Sequence, residues 1–132
     1  MRHIVLTEQF TICMKLPNKV LSPNYCPASR GGRIAKAVCA RKQKETTIEA
    51  IEQMGIETLP WEKCEVLVGA YYKNKARRDT DNLGGSLKSM YDGIVLAGVV
   101  PDDTPDEMAR PEPAMLVDKT EPRVEITIRR MK

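Results

Sequence analysis

At 132 residues the chain is long enough for one domain with its own core and too short for two. Its composition is that of an ordinary globular protein, and no run of 18 apolar residues occurs, which argues against a membrane span. The net charge is only +3 but is unevenly spread: residues 1–44 carry +8, 45–69 carry −5, 70–78 carry +4, 79–113 carry −6 and the last nineteen +2.

A basic N-terminal third and a short basic lead-in therefore flank an acidic centre. That suits a polyanion gripped at the rims while carboxylates hold a metal; solvated faces whose charges happen to cluster are the plain alternative. The stretch Met1-Arg2-His3-Ile4-Val5-Leu6 has too short an apolar run for a secretion signal, so a cytoplasmic location is expected. Cys13, Cys26, Cys39 and Cys64 form no CxxC pair and no zinc-site spacing, which predicts reduced thiols. The single histidine, His3, has no ligand partners near it in sequence.

The first predicted element covers residues 9–16. There Phe10, Ile12, Met14 and Leu16 alternate with Thr11, Cys13 and Lys15, as in a strand with one buried face. Pro17, Pro23, Pro27 and Gly31-Gly32 then mark a long loop. Its Lys19, Asn24, Arg30 and Arg33, with Tyr25, either touch a nucleic acid or only shape the loop.

Residues 33–55 read as a helix, with Ile34, Val38, Ile48, Ile51 and Met54 at helical spacing. Basic residues fill its N-terminal half and acids its C-terminal half, against the helix dipole. Bound phosphate or a neighbouring acidic element would compensate. Thr46-Thr47-Ile48-Glu49 matches a capping box, compatible with a break near Thr46. After Pro60-Trp61, residues 64–72 read as a second strand, with Cys64, Val66, Val68, Ala70 and Tyr72 on one face. Tyr71, Tyr72 and Trp61 are expected in the core or at its rim rather than as base-stacking platforms. The strand runs into a basic loop whose Lys73, Lys75, Arg77 and Arg78 are candidate phosphate contacts.

Residues 82–97 read as a second helix. At about 100° per residue, Leu83, Leu87, Met90, Ile94 and Ala97 fall within roughly 80° of one another; Asp81, Lys88 and Asp92 fall within about 40° on the opposite side. Asp102-Asp103 follow in a turn after Pro101. Strands are expected at 114–117 and 124–128, joined as a hairpin through 118–123. The whole predicts a single α/β (α+β) domain over residues 1–132: a mixed sheet of about four strands with two main helices, ordered β-α-β-α-β-β.

The chemistry concentrates between residues 79 and 103, where Asp79, Asp81, Asp92, Asp102 and Asp103 accompany Lys88. Short, hard carboxylates suit Mg²⁺ or Mn²⁺, and the adjoining arginines suit a phosphate. Together they suggest metal-assisted attack on a phosphodiester. A surface salt-bridge ladder is the plain reading of a lysine and two acids on one helix face. A calcium loop does not match the EF-hand order, whereas another nuclease or a phosphatase on the same acids stays open.

The run Arg78-Asp79-Thr80-Asp81-Asn82-Leu83, then Leu87-Lys88, Asp92-Gly93, Ala97-Gly98 and Asp102-Asp103, resembles the RusA family of Holliday-junction resolvases. The shared pattern is D-x-D-N, a downstream lysine on the next helix and a closing D-D pair. Leu16-Pro17, Leu21-Ser22-Pro23-Asn24 and residues 123–129 resemble the family's start and final strand. The resemblance implies Asp79, Asp81 and Asp103 as metal-binding catalytic acids and Lys88 as the catalytic lysine. It further implies a Mg²⁺-dependent (or Mn²⁺-dependent) homodimer that nicks four-way DNA junctions in recombination and repair, in phages and prophages among others. Asp92 and Asp102 would be supporting residues, with Asp92 structural or a partner of Lys88. One departure stands out. The family's lysine commonly follows the second Asp by four residues, and Lys88 follows Asp81 by seven. On a regular helix this keeps the face but moves the lysine about 4.5 Å along the axis, and Gly84-Gly85 weaken helix formation there. A relative that binds branched DNA without cutting it is the competing reading.

Overall fold

The computed structural model describes residues 8–76, 78 and 80–132, with Thr80 and Asp81 described through their backbone alone. The elements follow as β1 (Gln9–Met14), a 3-10 turn (Lys19–Leu21), α1 (Arg30–Met54), β2 (Lys63–Tyr72), α2 (Thr80–Ser86), α3 (Lys88–Leu96), β3 (Met108–Ala109), β4 (Ala114–Val117) and β5 (Arg123–Met131). This is a mixed α+β fold with one five-stranded sheet. No helix among the described residues is long and apolar enough to cross a membrane.

Alternation builds the sheet. Val66, Val68 and Ala70 of β2 and Val124, Ile126 and Ile128 of β5 are buried, and the residues between them face outward. β5 lies between β1 and β2, antiparallel to both. On the other side of β2, β3 and β4 run parallel to it, β3 beside Cys64 and Glu65 and β4 beside residues 69–72. The apolar row of α2 and α3, Leu83, Leu87, Met90 and Ile94, is buried as predicted, with Ala97 packed at its edge. Trp61 is buried against Phe10, ring centroids 5.8 Å apart, and its indole N–H donates to Thr58 Oγ1. All four cysteines are free thiols, and burial raises the Cys64 pKa to about 11.

The hairpin expected through 118–123 does not form, because β4 and β5 pair with opposite sides of β2. The connection instead crosses the end of β2, where the Asp118 N–H donates to the Tyr72 carbonyl at 2.8 Å. The Asp118 carboxylate accepts from the Thr120 hydroxyl, Arg123 Nη1 and the Thr120 and Glu121 amides. With the Thr120 hydroxyl and Arg123 foremost, these donors hold its pKa at about 2, below the usual carboxylate range. A depressed folded pKa gives stability that is present above the unfolded value, about 4, and lost as pH falls through the folded one. Asp118→Asn removes the charge facing Arg123. Its Tm should lie below that of the wild type near neutral pH, and the two should converge as pH approaches about 2. A constant gap across that range would contradict this account.

The first helix departs most from expectation. α1 is continuous through Thr46, and the Thr47 hydroxyl donates to the Gln43 carbonyl one turn back, at 2.8 Å, within the same helix. Its buried face is Gln43, Thr47 and Ile51, whereas Ile34 and Met54 are 52% and 43% exposed. The cause is the contact with α3. A Cβ at Gly93 would lie 2.9 Å from both the Lys44 carbonyl oxygen and Thr47 Cβ. Backbones come this close only where the facing side chains are small, so the contact selects the face with Gln43, Thr47 and Ile51 and leaves Ile34 and Met54, at the two ends of the predicted stripe, exposed.

Candidate functional site

The helix predicted over 82–97 is two helices. α2 ends at Ser86, Leu87 has φ −102° and ψ 8°, and Lys88 begins α3. A count of 100° per residue therefore does not carry across Leu87, and Lys88 does not continue the helical row of Asp81. Of the Gly84-Gly85 pair, Gly85 has a packing reason as well. A Cβ at Gly85 would lie 2.3 Å from Pro23 Cγ, so only glycine lets the 18–27 loop rest on α2.

This contact organises the surface around α2. On one side lies a cleft of about 700 Å³ lined by Leu16, Pro17, Ser22, Tyr72, Arg78, Asn82, Leu83 and Ser86. Across the Pro23–Gly85 contact lies a smaller one, about 340 Å³, where Lys88 and Lys36 stand with Leu21 and Ala40. A third, about 460 Å³, is bordered by Gly84, Gly85, Tyr91 and Arg110. Arg78 and Asn82 thus share a cleft, and Lys88 opens into its neighbour; Ser86 lines both.

Arg78 is fixed rather than free. Its Nη1 donates to the carbonyls of Asn74 and Ala76 and its Nη2 to Asn74 Oδ1, while the guanidinium lies 3.9 Å over the Tyr72 ring. Burial raises the Tyr72 pKa, with Arg78 opposing it. The charge is thereby held at the cleft wall. Lys73 and Lys75 are exposed on the same loop. Tyr71 is half-buried under Arg123, 4.1 Å away, on the outer face of the sheet.

The basic start of α1 is tied to loop carbonyls rather than to an acidic element. Lys36 Nζ donates to the carbonyls of Ser22 and Tyr25, and Arg33 Nη1 donates to that of Ala28. These side chains hold down the loop that borders the main cleft. Arg30 and Asn24 are exposed, with the Asn24 amide donating to Ser22 Oγ.

Asp103 is half-buried, and its N–H donates to Asp102 Oδ1 at 2.8 Å. Arg110 Nη2 donates to the Asp103 carbonyl at 3.3 Å, and its guanidinium stands 5.1 Å over Tyr91. Burial raises the Tyr91 pKa against the opposing charge of Arg110. Arg110 therefore links the Asp102-Asp103 turn to Tyr91 of α3, a role with no local sequence signal. Glu107, four residues beyond Asp103, encloses one carboxylate oxygen with no hydrogen-bond partner among the described residues. Asp92 is half-buried on α3, one turn from Lys88, yet the described residues show no ion pair between them.

Arg77, Asp79 and His3 lie outside the described residues, and Asp81 is described only as part of α2. No three possible metal ligands come together among the described residues. Of the three acids expected to hold the metal, Asp103 alone has a described side chain. The donor set is all carboxylate oxygen, the chemistry that Mg²⁺ and Mn²⁺ take. A comparison with models of known protein families finds no match, and no curated protein matches the chain.

Proposed function

We propose that the protein is a metal-dependent, structure-selective endodeoxyribonuclease of the Holliday-junction resolvase type. The observation that carries this reading is the meeting of two separate stretches at one cleft. Leu16, Pro17 and Ser22 come from the Pro-rich start, and Arg78 and Asn82 from the D-x-D-N run. Each resembles the RusA family on its own, and their convergence is independent of that resemblance.

In this reading Asp79, Asp81 and Asp103 would hold Mg²⁺ or Mn²⁺, which supplies Lewis acidity at the scissile phosphate and lowers the pKa of water. Arg78, pinned on Tyr72, would hold the backbone with little ordering cost. Arg77, Lys73, Lys75, Arg30, Arg33 and Asn24 would extend the contact along the strand. Lys88, reaching from the neighbouring cleft, would neutralise charge that grows on the phosphate oxygens in the transition state. Asp102 would support Asp103 through the turn, and Asp92 would serve α3. Two strands must be nicked, so a homodimer would act on the four-way junction.

A second reading is a branched-DNA-binding relative that does not cut. The observation favouring it is the helix break that sends Lys88 into a different cleft from Asn82. A synthetic four-way junction incubated with Mg²⁺ beside a linear duplex separates the two. Paired nicks in the junction, absent with excess chelator and absent from the duplex, are expected. Tight binding with no nicks in Mg²⁺ or Mn²⁺ would establish the second reading instead.

A further inference from the structure

We propose that Gln43 is a positioning residue that splices α2 to α3 and thereby sets where Lys88 stands. Gln43 is 9% exposed, on the face of α1 that packs against these helices. Its Nε2 donates to the Ser86 carbonyl at 2.9 Å, and its Oε1 accepts from the Met90 N–H at 3.0 Å. The two partners flank the helix break. Ser86 is the last residue of α2, where carbonyls lack intrahelical donors, and Met90 is the third residue of α3, whose amide is shared between the Leu87 carbonyl at 2.9 Å and Gln43 Oε1. A capping side chain on the residue before α3 would normally take the Met90 amide. That residue is Leu87, which has no such oxygen and makes no side-chain cap bond. One amide from another helix does the work of a C-cap and an N-cap at once.

The consequence falls on Lys88, which lies between the two anchored residues. With Ser86 and Met90 both tied to α1, the turn at Leu87 has little freedom, and Lys88 leaves it in one direction. The buried Gln43 also explains why α1 spends a core position on a polar side chain. An unpaired amide there would be costly, and this one is satisfied at both ends. The consequence for cleavage rests on the nuclease reading; the splice itself does not.

The test uses the full chain carrying Gln43→Met, which keeps length and removes both hydrogen bonds. Two readouts are taken: amide exchange at Met90, and single-turnover cleavage of a labelled four-way junction in Mg²⁺, in wild-type and Lys88→Ala backgrounds. Met90 exchange should accelerate by roughly threefold or more, because the amide keeps the Leu87 carbonyl but loses the acceptor that ties it to α1. Cleavage by the folded variant should fall by roughly tenfold, as misplacement of a group in the site does. In the Lys88→Ala background the further loss should stay under about twofold, since the two residues act as a unit. An equal fractional loss in both backgrounds would reduce Gln43 to a structural residue and overturn the proposal. Unchanged Met90 exchange would also overturn it. If Gln43→Met does not fold, Gln43→Asn replaces it, being polar but too short to span both partners. A wild type that cuts no junction would sink the nuclease reading and, with it, the role at Lys88; Met90 exchange would then decide the splice alone.

Discussion

Asp81→Asn should lower single-turnover junction cleavage by roughly 100-fold or more while leaving junction affinity equal or higher. The substitution keeps size and polarity; in the proposed nuclease it would remove one anionic ligand, so the metal would be held less well and the repulsion between carboxylate and phosphate would be reduced. The fold should survive. Asp81 lies in the first turn of α2, where losing a favourable dipole interaction costs about 0.5 kcal/mol. Lys88→Ala should cut poorly as well, but its affinity should drop, because in the proposed nuclease a cation that would face the nucleic acid is lost. Opposite affinity shifts with a shared loss of cutting are the signature of an acid-plus-lysine site. Normal cleavage by Asp81→Asn, measured on protein with an unchanged circular dichroism spectrum, would remove Asp81 from the chemistry.

Gly93→Val should be the most damaging substitution in the core, costing about 3 kcal/mol or more. A Cβ at this position meets the Lys44 carbonyl oxygen and Thr47 Cβ, each at 2.9 Å, and one of these is backbone that cannot rotate away. Valine adds two further methyl groups, so α1 and α3 have to separate. For a chain of this size the loss corresponds to a Tm lower by about 10 °C. Gly31→Ala is the matched control. A Cβ there meets nothing within 4 Å, and alanine favours the helix, so its Tm should hold or rise slightly. A Gly93→Val variant that melts with the wild type would show that α1 and α3 do not meet in this way.

The strands are legible in the sequence because their signal is local. Val66, Val68 and Ala70, and likewise Val124, Ile126 and Ile128, alternate with polar or exposed neighbours, and a period of two admits one reading. The row Leu83, Leu87, Met90 and Ile94 is legible for the same reason, since a row of large apolar residues is buried whether or not the helix breaks. The order of acids along residues 79–103 is also a fact of sequence, and the proposed phosphodiester chemistry is an inference from it. The two-residue strand β3, Met108–Ala109, carries no such signal, being too short to show a period.

The tertiary structure decided which side of α1 is buried, where the second helix breaks, which partner β4 takes and which cleft Lys88 enters. Apolar spacing reports where oily side chains lie on a helix, not where a glycine on a neighbour will let the backbone come close. So Ile34 stays exposed while Thr47 is buried. The partners of Gln43 lie 43 and 47 residues away in sequence, and no local pattern announces a bond at that separation. The basic start of α1 looks unpaired in the sequence for the same reason. Its partners are loop carbonyls, which every sequence has, and only the path of the chain from Ser22 to Ala28 brings them within reach of Lys36 and Arg33. Short-range periodicity is enough to place the elements. Their contacts depend on close approach and on hydrogen bonds between distant residues, which exist only once the chain has folded.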